Sequence, residues 1–132
     1  MSSKGYNVEI VESSRQNMTA RERLMLKDTS GAKSLNELVK GDEGLIITPV
    51  DYAVLNIHND NAKDGQNKDF TNYLILDNNG ERYITGSESF WESFKDIWDE
   101  MMADGTGEAY DIKVFTLPSK NYNGSFITCS IM

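Results

Sequence analysis

Ser119-Lys120-Asn121-Tyr122 places a hydroxyl, an ammonium, an amide and an aromatic ring within four residues. The runs on either side of it alternate in character. Ile112 and Val114 share one parity, and Lys113 and Phe115 take the other. Downstream, Ile127, Cys129 and Ile131 share one parity, with Phe126 and Thr128 opposed. In a strand, alternate residues point to opposite faces. With the aliphatic set turned to a core, Lys113, Phe115 and Phe126 stand outside. Flat rings interleaved with cations suit single-stranded nucleic acid, because every base has a π-face and every nucleotide a phosphate. The plainer alternative packs both phenylalanines under the N-terminal residues and leaves Tyr122 capping a turn.

Other chemistries find less support. The chain has one histidine and one cysteine, which excludes an internal disulfide and argues against a histidine-rich zinc site. Cys129, alternating with two isoleucines, reads as a small core residue. An EF-hand register starting at Asp60 puts Ala62 and Thr71 at ligand positions, and both are wrong for calcium. No glycine-rich phosphate loop and no nucleophile elbow is present. No catalytic residues, metal ligands or cofactor are therefore assigned, and the expectation is a protein that is not an enzyme.

The elements that position these residues follow from pattern. Residues 1–43 read as an N-terminal extension, with a short strand at Tyr6–Glu12 and capping boxes at Thr19–Glu22 and Ser34–Glu37. Leu24–Lys27 fits a helix or a strand. Leu45–His58 is a long β-type run interrupted by Pro49, where the parity changes, so a bent or bulged strand is expected. Asn59–Thr71 is a polar loop. Asn78-Asn79-Gly80 joins strands Asn72–Asp77 and Glu81–Thr85 as a hairpin. Ser89–Glu92 then opens a helix whose stripe Phe90, Phe94, Ile97, Met101 recurs at helical period, widened by Trp91 and Trp98. Gly105 and Gly107 stop it. Strands Tyr110–Leu117 and Ser125–Met132 complete the chain.

Three strands, a helix and two strands is the connectivity of an OB fold, a small Greek-key barrel. The expectation is a mainly β single domain with one main helix, its five-stranded barrel spanning 44–132. At 132 residues with 39% apolar content, such a chain buries a core without staples. No membrane span or secretory leader is visible, and a cytoplasmic location is expected. The net charge is −8, but Glu88–Asp111 alone carries −7, leaving −1 for the remainder. A phosphate-binding surface is thus compatible with the overall sign.

The C-terminal half resembles the small single-stranded DNA-binding proteins of tailed bacteriophages. The resemblance is carried by Tyr83–Phe94 (YITGSESFWESF) and by IKVFTLPSKNYNGSFITCSI from Ile112 to Ile131. A weaker match covers Ser34-Leu35 and Leu45–Tyr52. It implies an OB fold that coats single strands during viral DNA replication in the host cytoplasm, as a monomer or weak dimer. Replication or recombination proteins are its expected further partners. It supports Lys120, Asn121 and Tyr122 most directly, then Tyr52 and Tyr83. Unlike cellular single-strand-binding proteins, the sequence shows no acidic tail, so recruitment through one is not expected. The resulting interface has bases stacked on Tyr52, Phe115, Tyr122 and Phe126, with phosphates met by Lys68, Arg82, Lys113 and Lys120. His58, Tyr73, Tyr83, Ser119 and Asn121 complete it. Two rivals stand beside it, an acidic interaction or inhibitor module using the helix face and an oligosaccharide binder.

Overall fold

The computed structural model describes residues 6–39, 44–59, 69–118 and 125–132, within which eight strands form two sheets accompanied by three α-helices. In chain order these are β1 (Tyr6–Ser13), α1 (Ala20–Lys27), β2 (Lys33–Ser34), α2 (Leu35–Leu38), β3 (Leu45–Ile47), β4 (Pro49–Asn59), β5 (Asp69–Asp77), β6 (Arg82–Thr85), α3 (Glu88–Asp104), β7 (Ile112–Pro118) and β8 (Ser125–Ile131). The larger sheet has the order β1-β4-β5-β6-β2, and the smaller one β3-β7-β8.

The break at Pro49 divides the long apolar run between the two sheets. Before it, β3 pairs antiparallel with β7; after it, β4 pairs with β5, and the register slips between Pro49 and Asp51. The buried Asp77 laces this corner, its Oδ1 accepting from the Thr48 N–H at 3.1 Å while Asn78 N–H donates to the Thr48 carbonyl at 3.0 Å. The hairpin at Asn78–Gly80 forms as expected, but only Gly80 takes positive φ, at 88°.

Both faces of the larger sheet are covered. On one, Ala53, Leu55, Ile57 and Leu74 pack with Val8 of β1 and Leu26 of α1. On the other, Tyr52, Ile75 and Tyr83 meet Phe90, Phe94 and Trp98 of α3 together with Ile112, Val114, Ile127 and Cys129 of the smaller sheet. Phe90 and Phe94 are fully buried, Ile97 is partly buried against the same cluster, and Trp98 completes the buried side of α3.

The two sheets do not close into a barrel, which corrects the expected closed Greek-key form. Closure requires β6 to meet β8. Instead the free edge of β6 is taken by β2 in parallel, Lys33 opposite Tyr83 and Ser34 opposite Ile84. On the other side α3 packs along β8, where Ser89 Oγ donates to the Ile127 carbonyl at 2.8 Å and Ser93 Oγ lies 2.9 Å from Thr128 Oγ1. Residues 6–39 contribute β1 and β2 as hydrogen-bonded members of the larger sheet.

Caps distinguish the helices. Thr19 forms its capping box with Glu22, so Leu24–Lys27 is helical. Ser34 precedes α2 without a side-chain cap bond. α3 begins two residues earlier than its expected cap: Ser87 accepts from Phe90 N–H, while Ser89 is committed to β8. At its other end Gly105 takes the left-handed conformation, φ 72°, that closes a helix without a Cβ penalty.

Candidate nucleic-acid interface

The antiparallel register of β7 and β8 decides which side chains share a face. Phe115 lies opposite Thr128, Leu117 opposite Phe126, and Lys113 opposite Ser130. Ile46 of β3 lies opposite Lys113 on its other side. Since Ile112, Val114, Ile127 and Cys129 are buried, these partners form the outer face. Lys113 is exposed on it, Phe126 is 39% accessible, Leu117 42% and Ile46 54%, and Phe115 is half-buried. Phe115 and Phe126 are diagonal neighbours, a relation that sets residues about 7–8 Å apart across a sheet. Lys113 makes no ion pair among the described residues. Pro118 and Ser125 close the ladder, so the chain leaves and re-enters this sheet beside Leu117 and Phe126.

Leu117 and Ile46 extend this face and were not among the sequence candidates. Leu117 was legible as the next residue of Phe115's parity. For Ile46 the relevant signal was its opposition to Leu45 and Ile47, but parity alone does not say which set turns inward. Of the N-terminal residues, β1 and α1 pack on the larger sheet, while Leu35 of α2 and Val39, the residue after that helix, join the core beneath the smaller one.

The three tyrosines are placed elsewhere. Tyr52 is buried, its ring set edge-on to Trp91 and Trp98 at 5.2 Å each and to Phe94 at 6.1 Å. Its hydroxyl donates to Glu12 Oε2 at 2.8 Å and accepts from Lys95 Nζ at 3.1 Å. Burial raises the Tyr52 phenol above its ordinary range, with Lys95 opposing and Glu12 reinforcing the rise. Tyr73 is buried and stacked on Trp91, centroids 4.6 Å apart and planes 8° from parallel. Tyr83 is buried in the same core. Assigned from sequence to ligand, all three are core side chains, because both faces of their sheet are covered.

The remaining candidates separate from one another. Arg82 Nη1 donates to the carbonyls of Met25 and Asp28, the latter at 2.8 Å, tying β6 to the C-terminal end of α1 where a cation is favoured. His58 Nδ1 lies 2.7 Å from Asp69 Oδ1, a cross-strand pair at the end of β4 and β5. Lys68, Ser119, Lys120, Asn121 and Tyr122 lie outside the described residues. Among the described residues no cluster of three or more His, Cys, Asp or Glu is arranged to hold a metal ion, and no helix is long and apolar enough to cross a membrane. The chain has no significant match among protein-family models, curated proteins or solved structures.

Proposed function

We infer that the chain is a non-enzymatic protein that binds single-stranded DNA, without strong sequence preference, on the outer face of β7 and β8. The observation that carries this reading is the diagonal pair Phe115 and Phe126, with exposed Lys113 on the same face. Rings give each base a stacking surface and the ammonium neutralises a phosphate, which is the combination sequence-tolerant binding uses. Lys120 and Tyr122 belong to the segment that joins the two strands and extend the same chemistry. The strand order β8-β7-β3, continued through the Pro49 bend into β4-β5-β6, favours an OB-like ancestry with its seam opened. That ancestry fits coating of single strands during viral DNA replication.

The test is fluorescence anisotropy of a labelled oligo-dT across a salt series. Phe126→Ala should cost about 1–3 kcal/mol with little change in salt slope. Lys113→Ala and Lys120→Ala should each lower the magnitude of the slope by about 0.7. Tyr122→Ala should behave like Phe126→Ala, and Tyr122→Phe should retain most of the affinity. Parent-like binding by both Phe126→Ala and Tyr122→Ala would sink the stacking face. Absence of oligo-dT binding at low salt would transfer the assignment to an acidic interaction module acting through α3.

A further inference from the structure

Among the described residues, β1 is the terminal strand of the larger sheet and pairs only with β4. Along such an edge, alternate residues aim unpaired N–H and C=O groups outward. A cavity of about 460 Å³ lies beside it, lined by four consecutive residues of β1, Asn7 through Ile10, and by Ala20, Arg23, Leu24 and Lys27 of α1. Four consecutive strand residues include both side-chain faces, so what they share is the strand's backbone edge. The helix residues stand at i, i+3, i+4 and i+7, which is one face of a helix. The groove therefore runs between a strand edge and a helix face, on the side of the sheet turned away from α3.

We propose that this groove takes an extended acidic segment of a protein partner, added as a strand to β1 with alternate carboxylates set against Arg23 and Lys27. Main-chain hydrogen bonds supply the affinity of such strand addition, and side chains supply the specificity. Alternate residues of an extended chain are about 6.6 Å apart, close to the roughly 5–6 Å between Cβ atoms at i and i+4 of a helix. An acidic-x-acidic pattern thus meets both cations at once.

Charge selects the occupant. In a chain of net charge −8, this helix wall presents two cations, and neither is in an ion pair among the described residues. Arg23 Nη1 donates to the Met18 carbonyl at 2.6 Å, which steadies the guanidinium while leaving its other N–H groups to give. Leu24, 62% exposed between the two cations, is a surface for the aliphatic stems of glutamates. The nearby Glu9 does not oppose this. Its strand parity is opposite to that of Val8, which packs with Leu26 of α1, so its carboxylate lies across the sheet.

The probe is a fluorescein-labelled Glu-Val-Glu-Val-Glu peptide, titrated with the full chain and followed by anisotropy. A backbone N-methylated version and a Lys-Val-Lys-Val-Lys peptide serve as comparisons. The acidic peptide should bind, and amide exchange across Asn7–Ile10 should slow on binding. R23E/K27E, and the milder R23Q/K27Q with its fold checked by circular dichroism, should weaken binding, the charge reversal by about tenfold or more. N-methylation should weaken it as well. Failure of the acidic peptide to bind overturns the proposal, as does equal binding of the lysine peptide. Loss of oligo-dT binding in R23Q/K27Q with peptide binding unchanged would assign the cations to phosphate and overturn it too.

Discussion

Tyr52 is held from four directions: the rings of Trp91, Phe94 and Trp98 crowd its sides, and Glu12 and Lys95 share its hydroxyl. Its parity is opposed to that of Ala53, Leu55 and Ile57. In a strand covered on both sides, both parities lie inside. Tyr73 and Tyr83 are buried on the same sheet, whereas the outward parity of Lys113 and Phe126 was legible from the alternation of their strands. Tyr110 is a different case. Its buried Oη has no hydrogen-bond partner among the described residues, and burial pushes the phenol up to about 12. An unsatisfied buried hydroxyl costs roughly 1–3 kcal/mol. Tyr110→Phe is therefore expected to raise stability by about 1 kcal/mol in urea denaturation; a loss of that size would show that the hydroxyl is bonded. Cys129 gives a pH dependence. Burial raises its thiol from 9.0 to about 12, so the folded state retains a proton that the unfolded state releases. The stabilisation is complete below pH 9 and declines between 9 and 12. Cys129→Ala should flatten that decline in thermal melts, and an unchanged slope would place the titration elsewhere.

A single extra residue in β1 shows how an element arranges side chains. The register slips between Ile10 and Glu12, leaving Val11 exposed at the bulge. Before the slip Val8 and Ile10 face α1; after it Glu12 shares the face of Tyr52 and reaches its hydroxyl. No alternation in the sequence marks that change, because a bulge is defined by the partner strand. The two-residue β2 was equally hidden, being too short to alternate, and it occupies the edge of β6. α3 was legible in full apart from its cap, since 17 residues express a helical period strongly. Its Phe94 has no exposed surface, and Phe94→Ala should cost about 3–5 kcal/mol by urea denaturation. A loss below about 1 kcal/mol would mean the helix can reseat without it.

At the scale of the molecule, charge and aromatic content are divided unequally. Glu88–Asp111 carries nearly all of the net negative charge, and Asp96, Asp99 and Glu100 lie on the solvent side of α3. A polyanion approaching β7 and β8 meets that field at long range. Replacing the three by Asn or Gln should speed oligo-dT association at low salt and leave the footprint unchanged. Weaker binding would show the carboxylates to be part of the site. Both tryptophans belong to the other population of rings: Trp91 lies against Tyr73, and Trp98 is edge-on to Tyr52. The outer face of the smaller sheet has phenylalanine and no indole among its described residues. Intrinsic emission therefore gauges how α3 is seated. A base stacked on Phe126 should leave tryptophan intensity and wavelength unchanged, so silence in that channel is compatible with a filled site. A red shift on adding oligonucleotide would instead report the helix lifting from the sheet.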